Sequence, residues 1–502
     1  MAVIWEPLTN APPALPNGET FKADAMLLLP DGSVLVHHAG ADLRGGAEWL
    51  RLSPSPTGSY RDGTWTPVGA MNSTRQFFAS GVRADGSAFV IGGEYSNAAP
   101  NGDTPLGEIF DPVTSQWSPI DTKSADFDWI RGDAPCCVLA DGRVLLGALT
   151  EAKSAIYDPV NGTWTEAGTA RNTIASTKEA QAGEETWTLL RDGTVLAVET
   201  YATQQRPQGA EKYLPCKDIW VPAGETPAPL VDPVMHEIGP AMLLPDGRVL
   251  AIGGTGHIAF YSADPLDPAK PGSWKEGRDV KDDNGTLLTV NDGPACLLPG
   301  GKVLCVAGTR TAEPGEDGNP EYWSLGPVFF EYDPEADTVA KLSSQLTLPS
   351  TWMIKLLLAP SGEVLCTAEQ DQMYVYRSEE PPRDAWRPTI SDAPTALVSG
   401  VAYPLAGTQL NGLSHAVSYG DDYTAATNYP LVRLEARGTG TPAAYYCTTS
   451  KFGYGIATGS ERLTIDFTVP GRAPPGDYDL YVVANAIASK PWRVTVSATL
   501  VG

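Results

Sequence analysis

The sequence predicts an all-β protein. One hairpin pattern recurs seven times before residue 390, short alternating strands fill the remainder, and no long stretch carries helical periodicity. Composition agrees: 51 Gly and 44 Pro supply turns, and 13 Trp with 19 Tyr suit pleated, half-buried surfaces.

The recurring unit is an apolar run, a turn and a second apolar run. It reads AMLLLPDGSVLV from Ala25, SGVRADGSAFVIGG from Ser80, CCVLADGRVLLGA from Cys136 and TWTLLRDGTVLAV from Thr186. It continues as AMLLPDGRVLAIGG from Ala241, ACLLPGGKVLCVAG from Ala295 and KLLLAPSGEVLCTA from Lys355. The turns fall at Asp31, Asp85, Asp141, Asp192, Asp246, Gly300 and Ser361, with separations of 54, 56, 51, 54, 54 and 61 residues. That period is close to the ~50 of kelch propeller blades. Stretches such as EIFDPVTSQWSPI from Glu108 supply third and fourth strands. A single blade cannot cover both its faces, so the expectation is a seven-bladed kelch-type β-propeller over residues 1–390. Ring closure has two candidates, Trp5-Glu6-Pro7-Leu8 and Trp386-Arg387-Pro388.

From residue 391 to 502 the strands VSGVAYPL, LVRLEA, RLTIDFTV, YDLYVVAN and WRVTVS predict an immunoglobulin-like β-sandwich. No run of about 18 apolar residues occurs. The start MAVIWEPLTN lacks a basic and an apolar leader region, so the protein is expected in the cytoplasm if Met1 is the native start, and secreted if a signal peptide was removed. Seven cysteines at unpatterned spacing argue against a disulfide framework. A net charge of −25 argues against nucleic acid and anionic membranes as partners.

A kelch repeat followed by a domain ending in APPGDYDLYVVANAIASKPWRVTV resembles the galactose oxidase and glyoxal oxidase family over nearly the whole chain. The resemblance implies a copper ion on the propeller axis, held by two tyrosines and two histidines, with one tyrosine crosslinked to a cysteine and carrying a radical. By counting from the turns, the cysteine position holds Ala23 and the radical tyrosine position holds Phe77, within Arg75-Gln76-Phe77-Phe78. The adjacent Tyr-His position holds Trp352-Met353. Only the histidine of the C-terminal loop, in LSHAVSYGDD, is matched, by His415. Phenylalanine can neither ligate copper nor form a phenoxyl radical, so copper-radical oxidation is not expected.

Inner strands of a propeller all run the same way, so equal offsets from the turn form rings about the axis. The ring eight residues before the turn contains Ala23, Phe77, Asp133, Glu184, Ile238, Asp292 and Met353. The rings just before it contribute Glu237, Trp352, His236, Arg75 and Arg131. One arc is acidic and the other apolar. In the leading reading a polar ligand, carbohydrate foremost, binds Trp352, Arg75, Arg131, Asp133, Glu184 and Phe77. Any chemistry would be non-radical, with Glu237 or Asp292 as general acid or base and His236 assisting. In a second reading a divalent metal is held by His236, His415, Glu237 and Asp292 for hydrolysis or isomerisation. A third makes the channel mouth merely hydrated and the rim a protein-interaction scaffold, for which the long segment from Tyr201 to Asp232 is the candidate loop.

Overall fold

The computed structural model describes residues 2–3, 5–83, 85–99, 102–120, 133–168, 181–202, 208–315, 318–344, 346–414, 418–419, 422–423, 429–438, 443–453, 455 and 459–498. Arg131 and His415 lie outside the described residues. Among the described residues the fold is all-β apart from one 3-10 turn at Asp384–Trp386. Among the described residues no helix is long and apolar enough to cross a membrane.

Seven sheets repeat one plan, in which the first strand of each pairs with the second, the second with the third and the third with the fourth. The innermost strands are Ala23–Leu28, Ala79–Val82, Cys136–Val138, Thr186–Leu189, Ala241–Leu243, Ala295–Leu297 and Lys355–Leu358. The turn chemistry explains the repeat. At the first turn the Asp31 carboxylate accepts from the Ser33 amide at 3.0 Å, and Gly32 takes φ +75°. The Gly32 amide closes onto the Leu29 carbonyl and the Leu29 amide onto the Ser33 carbonyl, a three-residue loop that requires a left-handed glycine. All seven turns place a glycine at positive φ in that position.

Closure uses the N-terminal candidate. Glu6–Pro7 pairs with Tyr374–Arg377 as the outer strand of the seventh sheet, while Trp386 belongs to the 3-10 turn. Ala2–Val3 runs parallel to Ser343–Ser344 beside the sixth sheet, so the N-terminus bridges sheets six and seven. The segment from Tyr201 to Asp232 is not a long loop. It contains Gly209–Leu214 and Ile219–Glu225, the third and fourth strands of sheet four. Sheet six departs from the plan in length: its second and third strands, Val303–Pro314 and Pro320–Asp333, extend far past the others as a hairpin.

Consecutive sheets are joined by hydrogen bonds in cyclic order. The Arg75 amide reaches the Gly46 carbonyl at 3.3 Å, the Cys136 thiol the Ser80 carbonyl at 3.4 Å and the Ala182 amide the Ala148 carbonyl at 3.0 Å. Thr186 Oγ1 donates to Gly239 at 2.9 Å, the Asp292 amide to Ile238 at 3.2 Å and the Thr351 hydroxyl to Asn291, and the Ala23 amide returns to Gln370 at 2.9 Å. Between the sheets lies the apolar core, including the thiols of Cys296 and Cys366, which burial pushes far up.

The C-terminal strands form one further sheet that takes up the chain at Thr389–Asp392. It packs on the turn end of sheet one, where the Ala444 amide donates to the Pro56 carbonyl at 2.7 Å and the Tyr446 ring lies over Gly32. From it a short hairpin enters among the inner strands. Ser418 and Tyr419 pair with Trp187 and Thr186, and Asp422–Tyr423 approaches the inner strands of sheets one and two. Ser418, Tyr419 and Asp422 of this hairpin belong to the LSHAVSYGDD motif.

Trp5 is 1% exposed and fills the seam between sheets six and seven, with ring centroids 4.7 Å from Phe329 and 5.6 Å from Tyr376. Trp5→Ala is expected to cost on the order of 3 kcal/mol, read as a fall in the urea midpoint.

Candidate functional site

The site lies where the lead-in segments of the inner strands converge. Carboxylate oxygens of Glu184, Glu237 and Asp292, from the lead-ins of sheets four, five and six, lie within 4.8 Å of one another. Backbone geometry aims two of them. Glu184 and Asp292 take φ of +59° and +49°, and Phe77, at the same offset from its turn, takes +50°. A non-glycine residue in this left-handed region is uncommon and is held there by its surroundings. For Asp292 the holding contact is its amide bond to Ile238, the residue after Glu237.

Tyr201 stands beside these acids. Burial pushes its phenol up, and the nearby Glu184, Glu237 and Asp133 carboxylates push it further in the same direction. The His236 ring stacks on Tyr201 at 4.2 Å between centroids with 15° between planes, and its Nδ1 lies 3.1 Å from the Thr200 carbonyl. His236 therefore does not join the three carboxylates as expected. Its backbone, at φ +62°, turns the ring onto Tyr201, and Glu184 takes the place the sequence reading had given to the imidazole.

The apolar arc is also assembled at the axis. Phe77 from sheet two and Trp352 from sheet seven meet edge to face, with centroids 6.0 Å apart. Sheet one stands between them in sequence order but presents only Ala23, which is fully buried. Tyr95 lies 6.1 Å from Phe77, and Trp323 lies 6.1 Å from Trp352. Phe77, Trp323, Trp352 and Met353 are half-buried, so faces of this cluster remain open. Lys355 Nζ donates to the Trp352 carbonyl at 2.6 Å, fixing the segment from below.

Arg75 does not serve the site. It is fully buried, its guanidinium turned into sheet two, where it meets Glu108 at 3.0 Å and the carbonyls of Gly92 and Leu106 at 2.8 and 2.5 Å. A buried cation of this kind is fixed by its partners and is not available to a ligand. His37 and His38 are likewise buried, with Asp24 and Glu19 as partners at 3.2 and 3.0 Å. Burial raises the Asp24 carboxyl, but the His37 hydrogen bond and the Lys355 and His37 charges outweigh it and hold the group below its usual range. His257 is paired with Asp279 at 2.9 Å. Asp282 closes its own turn by accepting from the amides of Asn284 and Thr286.

Backward counting from the turns missed Tyr201, Tyr95, Glu94 and Trp323. Forward counting finds Tyr201 and Glu94, since Tyr201 follows Asp192 by nine residues and Glu94 follows Asp85 by nine, with Tyr95 the next residue. Tyr201 and Glu94 lie three residues past the second strand, where the chain returns to the axis. Glu94 forms an isolated bridge with Gln76, directly before Phe77. Burial, with the Asp103 charge adding to it, raises the Glu94 carboxyl to about 7.

With this geometry in place, comparison with known proteins gives one informative result. No family model matches the sequence, and no curated protein matches it. Among solved structures, a fungal alcohol oxidase of the AA5 family, determined with copper, is similar at 14% identity and a TM-score of 0.53, covering 99% of this chain and 100% of that one. A catalytically inactive virginiamycin B lyase from Staphylococcus aureus, bound to quinupristin, covers 75% of this chain at 10% identity and a TM-score of 0.45. The overall fold is thus shared with a galactose-oxidase-like copper oxidase from end to end.

The raised Glu94 carboxyl has a stability consequence. Between its ordinary value of 4.5 and about 7 the folded protein keeps a proton that the unfolded chain has lost. Stability from this group therefore falls as pH rises through that window. Glu94→Gln should flatten the dependence between pH 5 and 8, and at pH 8 be more stable than the parent by up to about 3 kcal/mol in urea titrations.

Proposed function

We propose that the chain is a seven-bladed kelch-type propeller, residues 1–390, with an immunoglobulin-like sandwich at 391–502. We propose further that its axial site has exchanged copper-radical chemistry for the binding of a polar ligand, carbohydrate foremost. The cyclic bonding of seven four-stranded sheets supports the architecture. Most of the copper-radical positions that the resemblance implies are changed: Ala23 supplies no thiol for the crosslink, Phe77, Trp352 and Met353 supply neither a phenol nor an imidazole, and His415 alone is retained. The observation that carries the ligand reading is the pairing of two half-sites at one level of the axis. Open aromatic faces of Phe77 and Trp352 stand on one arc, and the acceptors Glu184, Glu237 and Asp292 on the other. Carboxylates accept hydroxyl hydrogen bonds, and an aromatic face covers the C–H face of a ring. If the ligand is also a substrate, Glu237 and Asp292 are the groups placed to give or take a proton.

The convergence of three carboxylates favours a second reading, a divalent metal such as manganese or zinc held by Glu184, Glu237 and Asp292. Metal analysis of the untreated protein decides it: a stoichiometric ion would establish that reading. The scaffold alternative has lost its specific support, since residues of the supposed loop form two strands of sheet four.

Copper-loaded protein is expected to give no tyrosyl radical signal by electron paramagnetic resonance. Acidic acceptors should also prefer an aminated sugar. Glucosamine is expected to bind about tenfold more tightly than glucose at low salt, an advantage that shrinks in 1 M NaCl and in Glu237→Gln. Equal affinities under all three conditions would remove the acidic arc from the site.

A further inference from the structure

The extended hairpin of sheet six is the largest departure from the repeat, and its root is tied to three lead-ins at once. Toward sheet five, Arg310 grips the buried Asp232 through Nε at 2.7 Å and Nη2 at 3.1 Å. Asp232 in turn holds the segment carrying His236 and Glu237: its amide donates to the Glu237 carbonyl at 2.8 Å, and its carbonyl accepts from the His236 amide at 3.0 Å. Toward sheet six, Asn291 Nδ2 donates to the Tyr322 carbonyl at 3.1 Å, and the Asn291 amide to Ser324 Oγ at 3.2 Å. Toward sheet seven, the Thr351 amide donates to the Ser324 carbonyl at 3.2 Å, and Leu325 bridges Ser350. Those three lead-ins bear Glu237, Asp292 and Trp352. The Arg310 guanidinium also lies 3.6 Å from the Tyr322 ring centroid, which stiffens the hairpin on this side.

The residue between these anchors is Trp323. It is half-buried, and its ring makes an open corner with Trp352, at 6.1 Å between centroids and 54° between planes. We infer that the sheet-six hairpin is the specificity arm of the axial site, with Trp323 and Trp352 forming a two-walled aromatic corner that receives the apolar face of a pyranose ring. The inference rests on the ligand-site reading above and adds to it the wall that selects the ligand. Two indole planes inclined to each other fit a ring with one flat C–H face and one edge, whereas a linear polyol or a bare metal ion leaves them unused. The anchors fix the corner relative to the carboxylates, so hydroxyls on the far edge of the ring reach the acidic arc while its face is covered.

Saturation-transfer NMR with methyl β-glucopyranoside and methyl β-galactopyranoside as probes tests this. In the parent protein the strongest transfer is expected at the ring C–H protons of one face; transfer confined to the hydroxymethyl or methoxy end would overturn the proposal without folding entering the question. Trp323→Ala is expected to weaken binding at least tenfold, and Trp323→Phe to recover most of it. If Trp352→Ala loses binding while Trp323→Ala binds as the parent does, the arm is excluded and the ligand site stands. If neither pyranoside receives saturation, both readings fall.

Discussion

The inner strands of each four-stranded sheet are buried on both faces. Strands such as Val144–Gly147, Val249–Ile252 and Glu363–Thr367 are buried at every position. A sheet of that kind has no solvent side, so each face must be covered by another sheet, and a stack of twisted sheets is satisfied at its ends only by closing on itself. Everything else follows from this constraint. It explains why the N-terminus returns to complete sheet seven, and why Trp5 is spent on the last seam. It also explains why the lead-ins of the innermost strands, rather than the outer loops, face one another across the axis.

The convergence makes small residue choices consequential. Phe77 and Trp352 touch across sheet one because that sheet offers Ala23 at the same level. Three carboxylates meet because Glu184 and Asp292 accept a left-handed backbone. At 4.8 Å and an effective dielectric of about 20, two ionised carboxylates repel by about 3 kcal/mol, so the group is a sink for positive charge in whatever form it comes. On the opposite arc the ring positions Ala23, Phe77 and Met353 have no ionisable side chain, and the carboxyl bridged beside them, Glu94, is raised to about 7. The axis is therefore divided into a charged half and an apolar half, an arrangement suited to an amphipathic ring.

The sequence made legible what depends on local chemistry or on equal spacing. The glycine turn, preceded by Asp in five of seven cases, is a local solution, and its repetition located the strands and the addresses of Phe77, Glu184, Asp292 and Trp352 along the chain. Side-chain direction was not legible. His236 and Glu237 are neighbours, yet one stacks on Tyr201 and the other joins the acids, a division set by a positive φ that no spacing reveals. Arg75 was read as a site residue from its ring position, but the need of buried Glu108 for a partner turned it into sheet two. The strands after Tyr201, GAEKYL and IWVPAGE, were not legible because they lack the Tyr/Phe-Asp-Pro tripeptide that ends the third strand of sheets two, three and six, at Phe110-Asp111-Pro112, Tyr157-Asp158-Pro159 and Tyr332-Asp333-Pro334.

One signal was present and went unused. The last interval between turns is 61 residues where most are near 54, and the excess lies in sheet six. An insertion in a closed repeat cannot enter the stack without breaking the seams on either side, so it has to leave along the strand direction, at one end of the ring. At the turn end the C-terminal sheet and the segment leading to it already cover neighbouring ground, with Tyr446 over Gly32 and Arg383 of that segment donating to the Gly300 carbonyl at 2.8 Å. The end that remains is the one bearing the lead-ins. An insertion between the second and third strands emerges there, and the hydrogen-bonding needs of Asn291, Ser324 and Ser350 draw its root against the axis. The arm thus stands over the site because stacking leaves it no other place, and its aromatic residues are where a closed ring can still add specificity.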